Sequence, residues 1–135
     1  MKSCFAATML LVVLNAVPAA ASPLDFAGEY VDKKFLNGQG VFELSLEQNG
    51  SNVSVFFSAV YSDGHGAAPE ANGTGEVTNK GTVEFKFEDS FNNTGTGTIR
   101  RAGDDVIISI KMLKVAEPRC LQFYGENMRL KRVKK

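Results

Sequence analysis

The only histidine of the chain, His65, lies in Ser62-Asp63-Gly64-His65-Gly66, two residues after an aspartate that has the chemistry to orient an imidazole. A base of this kind does work only when a Ser, Thr or Cys hydroxyl or thiol stands within hydrogen-bond reach and the surroundings hold both groups still. Glycines on both sides of His65 hold little, so it is expected as a solvent-exposed loop residue. Cys120, on a predicted strand, is expected as a small buried apolar side chain, with an intermolecular disulfide as its alternative. One cysteine and one histidine are too few for a zinc site. Asp104-Asp105 beside Gly103, and Asp89 ahead of Asn92-Asn93, match no calcium-loop spacing and read as turns. Glu43 with Glu47, and Glu84 with Glu88, fall on the outward faces of their strands and so are not the desolvated acid and base pair that glycoside hydrolysis requires. The Gly-x-Gly sequences at Gly38, Gly64, Gly73 and Gly95 open no helix and so offer no phosphate cradle. No catalytic residue, cofactor or metal is assigned, and the chain reads as non-enzymatic.

The elements that position these residues follow a period of two. Phe42, Leu44 and Leu46 alternate with Glu43, Ser45 and Glu47; after Asn49-Gly50, read as the two turn residues of a hairpin, Val53, Val55, Phe57, Ala59 and Tyr61 continue the inward face. Val83, Phe85 and Phe87 alternate with Glu84, Lys86 and Glu88, and Val106, Ile108, Ile110 and Met112 repeat the pattern past an Ala102-Gly103-Asp104 turn. Further strands are expected over residues 28–34, 73–79, 94–101 and 119–132, the last with a bulge or a turn at Gly125-Glu126-Asn127. The reading is all-β: a single antiparallel up-and-down eight-stranded barrel. The longest connection, residues 61–72, carries Tyr61, Asp63 and His65 and is the candidate contact loop.

Gly73 and Gly75, like Gly95 and Gly97, stand two apart and share one strand face that bears no side chain. Glycines so placed let a barrel strand coil sharply, or let a ligand come close, and they join the candidate site on that account. Gly28-Glu29-Tyr30 resembles the Gly-x-Trp that opens lipocalins and avidins, with Tyr for Trp. That resemblance implies a barrel whose end is closed by Tyr30 packed against a basic side chain of the last strand, Arg129 or Arg132.

Lys2, an apolar run over residues 5–17 and Ala19-Ala20-Ala21 read as a signal peptide over residues 1–21, leaving residues 22–135 as one exported domain, periplasmic or secreted. Removing the peptide takes Cys4 and leaves Cys120 alone, so the domain is a monomer, or a dimer through Cys120. With the apolar run gone, no transmembrane segment is expected. Residues 22–105 hold thirteen acidic and six basic residues, while residues 106–135 hold two acidic and eight basic. Arg129, Lys131, Arg132, Lys134 and Lys135 make a basic end, but no aromatic residues interleave to stack bases, and nucleic acid is not expected as a partner. Asn49, Asn52, Asn72 and Asn92 stand in Asn-x-Ser/Thr sequons and are read as turn residues. Two functions remain: a barrel that holds a small apolar ligand or touches a protein through its loops, or an inhibitor or immunity-type protein blocking a secreted or periplasmic hydrolase.

Overall fold

The computed structural model describes residues 24–133; the segment expected as a signal peptide, residues 1–21, lies outside them, as do residues 22–23 and 134–135. Eight strands follow in order: β1 (Gly28–Phe35), β2 (Gly40–Asn49), β3 (Asn52–Tyr61), β4 (Glu70–Val77), β5 (Thr82–Asp89), β6 (Thr94–Ala102), β7 (Asp105–Lys114) and, after a 3₁₀ helix at Pro118–Phe123, β8 (Met128–Arg132). Each pairs antiparallel with the next, and β8 returns to β1, so the sheet closes into an up-and-down barrel without a free edge. Among the described residues no helix is long and apolar enough to cross a membrane.

The alternation read from the sequence sets the register. Phe42, Leu44 and Leu46 face Ala59, Phe57 and Val55 across β2 and β3, all buried. The β2–β3 turn itself sits one residue later than expected. Asn49 pairs with Asn52, which leaves Gly50 and Ser51 as the central residues, and Gly50 takes the positive φ that the first position of such a turn requires. The β6–β7 turn repeats the device, with Ala102 paired to Asp105 and Gly103 at positive φ.

Two corrections concern the less regular segments. Strand β4 begins at Glu70, so the loop before it spans residues 62–69 rather than running to Asn72. Residues 119–132 do not form one strand. Pro118 brings no backbone donor to the start of a helix, Glu117 caps it by accepting from Arg119 N at 3.0 Å, and the three-residue period stacks Cys120 and Phe123 on one buried face. The chain then turns through Gly125-Glu126-Asn127, with Asn127 at φ 56°, into the short β8.

The interior is organised around β5. Phe85 lies between Gly75 of β4 and Gly97 of β6 in the paired register, and Phe87 lies between Gly73 and Gly95. A Cβ added at Gly95 would sit 2.8 Å from the Phe87 ring, and one at Gly97 would fall inside the van der Waals surface of the Phe85 ring. Gly95 and Gly97 are therefore seats for two phenylalanine rings that lie sideways over β6, while Gly73 and Gly75 of β4 leave room for the β5 backbone itself, the Lys86 and Glu84 carbonyls lying where a Cβ would stand. From there aromatic packing continues: Phe57 meets Phe87 edge-on at 5.0 Å, Phe42 stacks on Phe57 at 5.4 Å, and Phe35 meets Phe42 at 5.4 Å.

If ring and glycine are one packing unit, their variants must couple. Gly97→Ala is expected to cost about 1–3 kcal/mol by overpacking. Adding Phe85→Leu should recover part of that loss, so that the double variant is more stable than the two single changes summed. Urea unfolding of the four proteins measures the coupling, and additivity within about 0.3 kcal/mol would show the glycines to be independent of the ring.

Candidate functional site

The two barrel ends are closed by different chemistry. At the end holding the N-terminal segment, Tyr30 is buried and its hydroxyl donates to the Phe26 carbonyl at 2.7 Å while accepting from Arg132 Nη2 at 2.8 Å. The Arg132 guanidinium lies 5.0 Å from the Tyr30 ring centroid and also donates to the Ala27 carbonyl at 3.1 Å. Burial pushes the Tyr30 phenol above its ordinary value, against the opposing pull of the Arg132 charge. Of the two basic residues expected here, Arg132 closes the barrel. Arg129 points outward and pairs with Asp105 at 3.1 Å. Arg101 adds a second clamp, donating to the Asp25 carbonyl with its guanidinium 5.9 Å from the Phe26 ring.

The opposite end is the mouth, ringed by residues 36–39, 62–69 and 90–93 and plugged by the connection from β7 to β8. Phe123 fills it from the 3₁₀ helix, its ring 5.1 Å from Tyr61 and 6.2 Å from Phe35. The plug is tied to the β5–β6 turn by a buried polar network. Asp89 Oδ1 accepts from Phe91 N at 2.8 Å and Asn93 N at 3.0 Å; Oδ2 accepts from Asn93 Nδ2 at 2.8 Å and from the Tyr124 hydroxyl at 2.6 Å. Asn93 Oδ1 in turn accepts from Ala116 N at 2.7 Å and Glu117 N at 2.8 Å. Among the described residues, no buried side-chain polar atom lacks a partner.

The network was not foreseen as a unit, although one signal was present: the alternation Val83, Phe85, Phe87 carries Asp89 to the inward face. A carboxylate at such a position needs donors, and turn, plug and tyrosine supply four. Burial first, and then the hydrogen bond to Asp89, pushes the Tyr124 phenol far above its ordinary value.

Cys120 sits in the same plug with none of its surface accessible, and burial raises its thiol pKa. It is thus a packed side chain of the plug. An intermolecular disulfide through it would require the plug to leave its seat.

The candidate contact loop lies at the mouth but is not a catalytic arrangement. Asp63 Oδ2 stands 3.3 Å from His65 Nδ1, and the two side chains are 66% and 87% exposed, so solvent screens the pair. Asp63 Oδ1 also accepts from His65 N at 3.0 Å, a local turn rather than a held base. Gln39, Tyr61, Ser62, Asp63, His65 and Gly66 line an open hollow of about 460 Å³. Gly73, Gly75, Gly95 and Gly97 are elsewhere, along the barrel wall under Phe85 and Phe87, and they do not join this hollow.

Most of the interior leaves no room for a guest. A ligand-sized cavity would give the side chains around it accessible inner surface, yet Phe42, Phe57, Val83, Ile99, Ile108 and Phe123 have none. Among the described residues no three His, Cys, Asp or Glu side chains converge as a metal site. The fold and its two ends define a closed, self-filled antiparallel eight-stranded barrel. Compared with known proteins, the chain matches no family model, no curated protein and no solved structure.

Removing the Tyr124 hydroxyl tests the network. Tyr124→Phe is expected to cost about 1–3 kcal/mol at neutral pH, because the Asp89 carboxylate loses a donor while remaining buried. Above pH 10 the unfolded chain releases the Tyr124 proton and the folded chain retains it, so stability falls as pH rises; the substitution should flatten that alkaline fall. Chemical unfolding from pH 7 to 11 measures both effects.

Proposed function

We propose that this chain is an exported, non-enzymatic barrel of the lipocalin-like type that works by contacting another protein with its outer surface. The filled interior supports this reading over the carriage of a small apolar ligand, since the Phe85 and Phe87 rings already occupy the wall space that Gly97 and Gly95 leave free. The closure of Tyr30 by Arg132 supports the lipocalin-like comparison. An inhibitor or immunity-type role against a secreted or periplasmic hydrolase suits a closed wall with an exposed loop at its mouth, and the Asp63–His65 turn lies in such a loop. The lack of an enzymatic role rests on the exposure of the single histidine and the burial of Cys120.

Native mass spectrometry of the protein isolated gently from its own compartment separates the readings. The expected spectrum has the bare polypeptide mass, alone or in a complex with a second protein. A small apolar molecule retained in stoichiometric amount would overturn the proposal and return the barrel to ligand carriage.

A further inference from the structure

The outward side chains of β2, β4 and β5 concentrate one sign of charge on one side of the barrel. Glu43 and Glu47 on β2, Glu70 and Glu76 on β4, and Glu84 and Glu88 on β5 are all exposed, with Lys86 the basic residue among them. Ser54, Phe56, Ser58 and Val60 of β3 lie between, and Phe56 and Val60 are 39% exposed. Among the described residues, none of these six carboxylates takes part in an ion pair; the pairs present are His65 with Asp63, Arg119 with Glu117 and Arg129 with Asp105. Glu76 and Glu84 stand directly opposite each other across β4 and β5. Like charges in that relation oppose the sheet they belong to.

The same side is concave. Where Gly73, Gly75, Gly95 and Gly97 let the strands approach closely, two adjoining troughs of about 680 and 770 Å³ open on the outside, sharing Thr74 and Lys86 in their walls. Glu76 and Glu84 line the first, which runs on across β6 to Lys111 of β7, and Glu47, Glu88 and Phe56 line the second, which stays on β2 to β6. The loop with exposed Asp63 joins β3 to β4 at the mouth end of this face.

We infer that the outer face of β2–β5 is a docking surface for a cationic protein, whose Lys and Arg side chains reach Glu47, Glu76, Glu84 and Glu88 while an apolar group covers Phe56. The inference rests on the protein-contact reading and names the chemistry of the partner. Unpaired carboxylates on a concave, hydroxyl-rich surface with one exposed aromatic are complementary to such a partner. The opposed Glu76 and Glu84 are a stability cost that a cationic partner would relieve.

Deca-lysine serves as the probe, titrated into the purified protein at low salt with backbone amide shifts as the readout. Wild type should show shifts confined to β2–β5, and Glu84→Thr/Glu88→Thr should weaken binding about tenfold. The charge-matched Asp25→Asn/Asp104→Asn, at the opposite end of the barrel from the mouth, should change it less than twofold. Glu84→Thr alone should raise Tm by about 1–4 °C, since it removes the like-charge opposition and adds a β-branched residue. Equal weakening by both double variants, shifts spread over the whole barrel, or a fall in Tm would each overturn the inference. So would concentration-dependent self-association abolished by Glu84→Thr/Glu88→Thr, which would make a second copy the occupant. An apolar molecule retained in the native mass spectrum overturns the protein-contact reading instead, and these variants distinguish that failure from a failure of the charge argument.

Discussion

The structure depends on the fit of β5 between two pairs of glycines, with the Phe85 and Phe87 rings seated over those of β6 and its backbone pressed against those of β4. A small barrel closes only if its wall bends, and a wall bends inward only where side chains make room. Gly95 and Gly97 on one side give room that the two rings of β5 take up, and Gly73 and Gly75 on the other give room to the β5 backbone. The bend and the core are therefore one feature. Any side chain larger than hydrogen at Gly75 would collide with the Glu84 carbonyl, so the strand spacing and the ring positions are fixed together.

Closing the ends calls for polar chemistry, because backbone groups run out of partners where strands stop. At one end a cation lies over a buried phenol and satisfies the carbonyls of the incoming chain. At the other, a single carboxylate gathers a turn, a plug and a tyrosine hydroxyl. The second solution is the more exposed to failure, since removing any one donor leaves a buried charge short of a partner, whereas Arg132 is partly solvated and can rehydrate. The barrel is also least sewn on that side of the sheet: β8 pairs with β1 only at Tyr30–Arg132 and Val31–Lys131, while β2 and β3 pair along their whole lengths.

Much of this was legible in the sequence because strand alternation is a local signal. The eight strands, the inward faces of β2, β3, β5 and β7, and the choice of Tyr30 with a basic residue of the last strand all followed from period two and a short motif. What escaped was set by tertiary demand. Residues 119–132 look apolar enough for a strand, yet the mouth needs Cys120 and Phe123 on one side three residues apart, and Pro118 starts a 3₁₀ turn that supplies this. Asp89 looked like a turn residue and is one, but its inward position also makes it the anchor of the plug. The glycine pairs read either as coiling devices or as places for a ligand to come close; the register sets Gly95 and Gly97 under the Phe87 and Phe85 rings, and Gly73 and Gly75 against the β5 backbone.

A filled barrel shifts the burden of function to its exterior, and there the charges are not distributed as solubility alone would arrange them. Mixed signs on neighbouring strands would keep the surface soluble and add cross-strand attraction. Instead Glu76 faces Glu84, Asn72 faces Glu88, and the basic residues Arg100, Lys111 and Lys131 lie on β6, β7 and β8. Gly97, which seats the Phe85 ring inside, also lines the trough outside. Interior packing and exterior shape are thus two consequences of one sequence pattern. A substitution made to strengthen one will alter the other.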